Sequence, residues 1–271
     1  MTTAAPLLSL QNVSKRFGGL SVITDVSFEV AKGARMALIG PNGAGKTTIF
    51  NLISGFYRPD EGQIVLDGVP IQQLPSRKRV GLGLSRSFQN IRLMPHLSVI
   101  ENIMLAQQPH AGGLLDMVKP IALPGFRRWQ REAEELLDAM GIDTYAGDVV
   151  ATLPYGVRKK IEVVRALAAK PKLLLLDEPA AGLNAAETEG LTDFLKRIAL
   201  TGVTLLVVEH DMGLVRKLCD DAVVLNFGAK IYDGPTATVQ DNPLVLEAYL
   251  GPRHSKTASG ASDQKGAHHV A

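Results

Sequence analysis

A single cysteine, Cys219, excludes an intramolecular disulfide and a cysteine-rich zinc site. Long apolar runs are equally scarce. The best of them, residues 173–176 and 203–208, fall far short of the ~18 needed to span a bilayer, so a membrane role has to come through a partner. No basic residue precedes the apolar stretch within residues 1–10, and no secretory signal is expected. A dominant charge is missing too: 29 basic and 27 acidic residues leave a net charge of +2, which gives no general attraction to nucleic acid or anionic lipid. A reducing cytoplasm fits these absences.

What is present reads as an ordinary folded chain, 46% hydrophobic and 21% charged, long enough for one large domain or a domain with a smaller lobe. Residues 7–30 alternate apolar and polar side chains around Phe17-Gly18-Gly19, which predicts antiparallel strands with one buried face. Residues 36–39 form a short apolar strand that enters a glycine-rich loop, and residues 47–54 follow at helical spacing. A further strand is expected at 63–66. From about residue 77 to 147 the pattern turns amphipathic, with helices predicted over 97–106 and 127–140. Helix 158–170, stopped by Pro171, leads into the buried strand 172–177. Strand and helix then alternate: helix 186–200, strand 204–209, helix 212–218, strand 221–226, and a hairpin through Phe227-Gly228-Ala229 into 230–232. That alternation predicts a parallel sheet covered on both faces. Residues 252–271 offer almost nothing to bury and are expected to be disordered; His268 and His269 there lack a third ligand for a metal.

Gly40-Pro41-Asn42-Gly43-Ala44-Gly45-Lys46-Thr47 has the P-loop spacing, placed after a strand and before a helix as its mechanism requires. Its glycines let successive N–H groups turn toward phosphate oxygens. Lys46 would reach the β and γ phosphates, Thr47 would ligate Mg²⁺, and the helix start adds its positive end. Leu173-Leu174-Leu175-Leu176-Asp177-Glu178 delivers two acids to a strand end, Asp177 for Mg²⁺ and Glu178 as the base that polarises water. His210 ends a third strand and is read as a γ-phosphate contact only in company with these.

The order of this P-loop, Ser87-Phe88-Gln89, Leu153-Pro154-Tyr155-Gly156, the Asp177-Glu178 strand, Ala181-Gly182-Leu183-Asn184 and Glu209-His210-Asp211 resembles the ATP-binding subunit of ABC transporters over residues 7–251. The resemblance implies an α/β fold: a P-loop NTPase core with a parallel sheet, an antiparallel β subdomain, and a helical subdomain inserted over about residues 90–165. It implies that two such subunits, identical or different, sandwich two ATP molecules, each P-loop facing the signature segment of the other. Carried over by position, Asn42, Gly43, Ala44, Gly45, Lys46, Thr47 and Thr48 cradle the phosphates and Phe17 stacks on adenine. Gln89 contacts Mg²⁺ and senses the membrane partner, Glu178 is the catalytic base, and His210 is the γ-phosphate switch. Pro154, Tyr155, Gly156 and Asn184 belong to the face that completes the opposite site. The cofactors implied are ATP and Mg²⁺. The partners implied are a second ATPase subunit, two transmembrane permease subunits and, indirectly, a periplasmic substrate-binding protein, with no nucleic acid. The place implied is the cytoplasmic face of the inner membrane.

Ser85 to Leu93, Ala180 to Asn184, Val208 to Met212 and Asn242 to Gly251 look like the branched-chain amino acid importer group. Two positions depart from the family. Proline stands at 154 where serine is usual, and Val157 where glutamine or an acid is usual. Proline offers no donor to an opposing phosphate, which would weaken the ATP-bound dimer by about 1.5–3 kcal/mol. Arg158-Lys159-Lys160 reads either as a solvated basic face or as charge near phosphates across the dimer. The sequence leaves three alternatives: an ATPase for a lipid or another substrate, a weakly hydrolysing partner in a heterodimeric pair, and a DNA-linked ATPase. The last is disfavoured by the absence of heptads and zinc cysteines between Gly45 and Leu153.

Overall fold

The structure, a computed structural model, describes residues 5–87, 91–107 and 124–250. Strand β1 (Leu8–Phe17) and strand β2 (Leu20–Val30) form the expected hairpin, closed where Phe17 pairs with Leu20. Leu8, Leu10, Val13, Val26, Phe28 and Val30 are buried on its inner face. Strand β3 (Arg35–Ile39) leads through the glycine loop to helix α1 (Lys46–Ser54). Strands β4 (Glu61–Leu66) and β5 (Val69–Pro70) then return to the hairpin, completing an antiparallel sheet of order β2-β1-β4-β5.

Helix α2 (Ser76–Gly81) and strand β6 (Leu84–Arg86) come next. Because β6 pairs in parallel with strand β7 (Leu173–Asp177), the pattern change read from residue 77 begins inside the sheet layer; a three-residue strand is too short to leave a periodic signal. Helices α3 (Val99–Ala106), α4 (Pro124–Met140) and α5 (Tyr155–Leu167) follow. Leu97 lies outside α3 because Ser98 and Glu101 form a capping box. Helix α5 starts three residues before the expected Arg158, since Pro154, extended at φ −55° and ψ 150°, serves as its N-cap. It also ends at Leu167, short of Lys170, which takes a φ of 50° ahead of Pro171.

The remaining elements are α6 (Ala185–Leu200), β8 (Thr204–Val208), α7 (Met212–Leu218), β9 (Asp221–Asn226), β10 (Ala229–Pro235) and α8 (Pro243–Leu250). They complete a six-stranded sheet of order β10-β9-β3-β8-β7-β6, parallel except for the β10 edge. Alternate residues of β7 enter different cores. Leu174 and Leu176 pack with Ile103, Leu137 and Ile161 of the helical lobe, whereas Leu173 and Leu175 pack with α1 and the antiparallel sheet. The C-terminal ends of β3, β7 and β8 are thereby held between two cores, where a parallel sheet gathers its ligands. Among the described residues no helix is long and apolar enough to cross a membrane.

Candidate nucleotide site

The loop after β3 is fixed by what surrounds it. A Cβ on Gly40 would lie 2.2 Å from the Leu225 carbonyl oxygen, and one on Gly45, at φ 103°, would lie 2.5 Å from Ile23 Cδ1. At Gly40 the neighbour is backbone and leaves no room for a side chain, and at Gly45 the left-handed φ disfavours one; the loop runs close to β9 on one side and β2 on the other. Ala44 donates to the Pro41 carbonyl, while its own carbonyl accepts from Gly228. Asn42, Gly43 and Thr47 face solvent, Thr48 is half-buried, and Lys46 is only 7% exposed. The Lys46 Nζ donates to the carbonyls of Gly40 (2.6 Å) and Pro41 (2.9 Å), which hold the ammonium within the loop. Burial lowers its pKa, and the carboxylates of Glu178 and Asp177 act in the opposite direction.

Those carboxylates arrive from β7. Asp177 Oδ2 accepts from Arg86 Nη2 at 2.6 Å, with both side chains under a tenth exposed. Arg86 also donates through Nη1 to Asn51 Oδ1 and Ser54 Oγ, which ties α1 to the β6–β7 pair. Glu178 adopts φ 47° and donates its N–H to the Val208 carbonyl. This left-handed turn takes Glu178 out of the strand register, so the two adjacent acids point to different places. His210 Nδ1 lies 3.6 Å from Glu178 Oε1. Lys46, Asp177, Glu178 and His210 thus converge from three separate strand ends.

Phe17, 41% exposed, meets Tyr57 edge to face with ring centroids 5.0 Å apart, and Lys15 Nζ sits 5.4 Å from the Phe17 centroid. Tyr57 has no motif of its own and was not legible from sequence. The signature residues lie against the turn after β7. Tyr155 Oη donates to the Ala181 carbonyl at 3.4 Å, and Gly156 abuts Glu187. Asn184 caps α6, its Oδ1 accepting from the Glu187 N–H. Arg158, Lys159 and Lys160 fall beyond the first turn of α5, and Lys159 is buried, so they do not form one solvated face at a helix start. The Lys159 and Lys160 ammonium groups sit over the rings of Tyr155 and Phe194. Gln89 lies outside the described residues.

The donor set suits a nucleoside triphosphate with a hard cation: exposed loop amides, a buried ammonium, and two oxygen ligands in the Thr47 hydroxyl and the Asp177 carboxylate.

The profile of the family described as ABC transporter matches residues 23–181. The chain is 41% identical over 253 residues to the high-affinity branched-chain amino acid transport ATP-binding protein BraF of Pseudomonas aeruginosa, covering 91% of this chain and 98% of that one. In structure it resembles an ATP-binding cassette of an ABC transporter in its ADP conformation, with a TM-score of 0.82 and 27% identity over 92% of this chain and all of the other. It also resembles a dimeric post-hydrolysis cassette bound to ADP and Pi, with a TM-score of 0.69 and 25% identity over 84% of this chain and 98% of that one. With the profile covering more than half of its length, the chain belongs to the ABC transporter family.

Proposed function

We propose that this chain is the ATP-hydrolysing subunit of a membrane importer for branched-chain or related amino acids. The observation that carries the hydrolytic part is the approach of His210 to Glu178, 3.6 Å apart at the ends of β8 and β7, beside the buried Lys46 of the glycine loop. The amino acid class rests on the likeness to BraF.

In this reading the loop amides of residues 42–48 and the Lys46 ammonium bind the β and γ phosphates, and Phe17 stacks on adenine. Thr47 and Asp177, with Gln89 as the third residue read for this role, would hold Mg²⁺, which would supply charge neutralisation of the phosphates. Glu178 accepts a proton from the attacking water as its oxygen bonds to the γ phosphorus; the bond to the β–γ bridging oxygen breaks, leaving ADP and phosphate. His210, oriented by Glu178, donates to the γ-phosphate oxygens. Pro154, Tyr155, Gly156 and Asn184 complete the site of a second ATPase subunit. Closure of that dimer drives two permease subunits at the cytoplasmic face of the membrane, supplied by a periplasmic binding protein.

The test is made in the cell of origin. Replacing the chain by its Glu178→Gln form is expected to abolish uptake of labelled leucine, isoleucine and valine while leaving uptake of unrelated amino acids unchanged. Undiminished leucine uptake would contradict the proposal.

A further inference from the structure

The carboxylate of Glu209 joins two segments that otherwise belong to different halves of the chemistry. Glu209 follows β8 and is 2% exposed. Its Oε1 accepts from the Ala180 N–H at 2.9 Å, and its Oε2 accepts from the His210 N–H at 3.2 Å. Ala180 belongs to the turn between β7 and α6, and the signature segment packs against the same turn. There Tyr155 Oη donates to the Ala181 carbonyl, and a Cβ on Gly182 would lie 3.3 Å from the Tyr155 ring. Farther along, Glu187 Oε2 accepts from the Asn184 N–H, while Oε1 would lie 2.9 Å from a Cβ on Gly156. On the other side His210 reaches Glu178. A contiguous run of contacts therefore links Tyr155 and Gly156 to the turn, the turn to Glu209, and Glu209 to His210 and Glu178.

We infer that Glu209 is a positioning residue that couples the signature half of this chain to its own hydrolytic pair, so that engagement of a partner's nucleotide by residues 154–156 is felt at His210. The inference rests on the function proposed above. Only a side chain with two acceptor oxygens serves both N–H groups at once. A glutamine of the same size keeps one oxygen and turns an NH₂ toward the other donor, and a hydroxyl reaches only one of the two. Burial works against the charge and pushes the Glu209 carboxyl above the usual range, opposed by the N–H groups of Ala180, His210 and Asp211. A carboxyl placed there against that cost is accounted for by the two donors it holds in register.

The experiment uses the full chain with MgATP. Glu209→Gln is expected to lower kcat about tenfold, with ATP affinity within about twofold and Tm within a few degrees of wild type. In a His210→Ala background the same change should add less than about twofold, because the two residues act as one unit. Glu209→Asp, too short to span both donors, should reproduce the loss and decides the matter if the glutamine form does not fold. Wild-type turnover in both Glu209 variants, an equal loss in the two backgrounds, or a loss that follows Tm alone would overturn the inference. A wild-type chain that binds ATP without hydrolysing it overturns this inference and the proposed function together. A wild-type chain that hydrolyses ATP no faster than its Glu209 variants overturns this inference alone.

Discussion

Gly228, in the turn between β9 and β10, supports a phosphate loop that lies far away in sequence. Its N–H donates to the Ala44 carbonyl at 3.1 Å, its carbonyl accepts from the Thr24 N–H at 2.9 Å, and a Cβ would sit 2.2 Å from the Val22 carbonyl oxygen. With φ at 80° as well, Gly228→Ala should lower stability by about 1–3 kcal/mol and weaken ATP binding several-fold, measured by denaturant titration and nucleotide binding. Wild-type stability and affinity in that variant would contradict the supporting role. Residues of this kind mark the limit of reading single positions from sequence. Lys46, Thr47, Asp177 and Glu178 stand out in the sequence because the roles proposed for them are tied to local spacing. Arg86 was seen only as part of a motif, and its contact with Asp177 spans 91 residues. Glu209 meets Ala180 across 29 residues, and neither position carries a local signal of that contact.

Helices α4 and α5 show the same contrast at the scale of elements. The amphipathic period of α4 was legible, but its tie to the end of α5 was not. Glu132 accepts from Lys170 Nζ and Arg128 Nε, both at 2.8 Å, and these bonds hold its pKa down to about 2. A carboxyl depressed in the folded state contributes stability that is fully present above its unfolded value and is lost as pH falls toward the folded one. That contribution should therefore fade between about pH 4.5 and about pH 2, and Glu132→Gln should flatten the fall in stability over this window. Because its two basic partners are largely exposed, added salt should shrink the effect. An unchanged pH profile in the variant would show that the pair contributes nothing. The start of α5 was misplaced because Pro154 caps it without a side-chain bond, while the start of α6 was nearly legible because Asn184 and Glu187 are common capping residues. Arg79 left no trace in the pattern: fully buried, it donates to the Leu52 and Ile53 carbonyls at the end of α1, where the negative end of the helix receives it.

For the whole molecule, the two sheets and the lobe were legible as a class because strand and helix periods alternate cleanly after residue 172. The short strand β6 lacked enough residues to declare a period, and the final helix α8 is apolar nearly throughout and shows no polar face. Their placement was decided by pairing and packing instead. The loop of residues 40–48 and the segment 154–156 are separate halves of the proposed chemistry, and the second lacks the serine whose hydroxyl would serve an opposing phosphate. The account therefore depends on hydrolysis by Glu178 within an ATP-closed pair of subunits. ATP turnover by the purified chain, set beside its Glu178→Gln form with the mass of each ATP-bound species recorded, tests this most directly. The wild type should release phosphate, and the variant should be slower by at least about 100-fold while holding ATP as a dimer. Phosphate release by the variant at the wild-type rate would contradict the account.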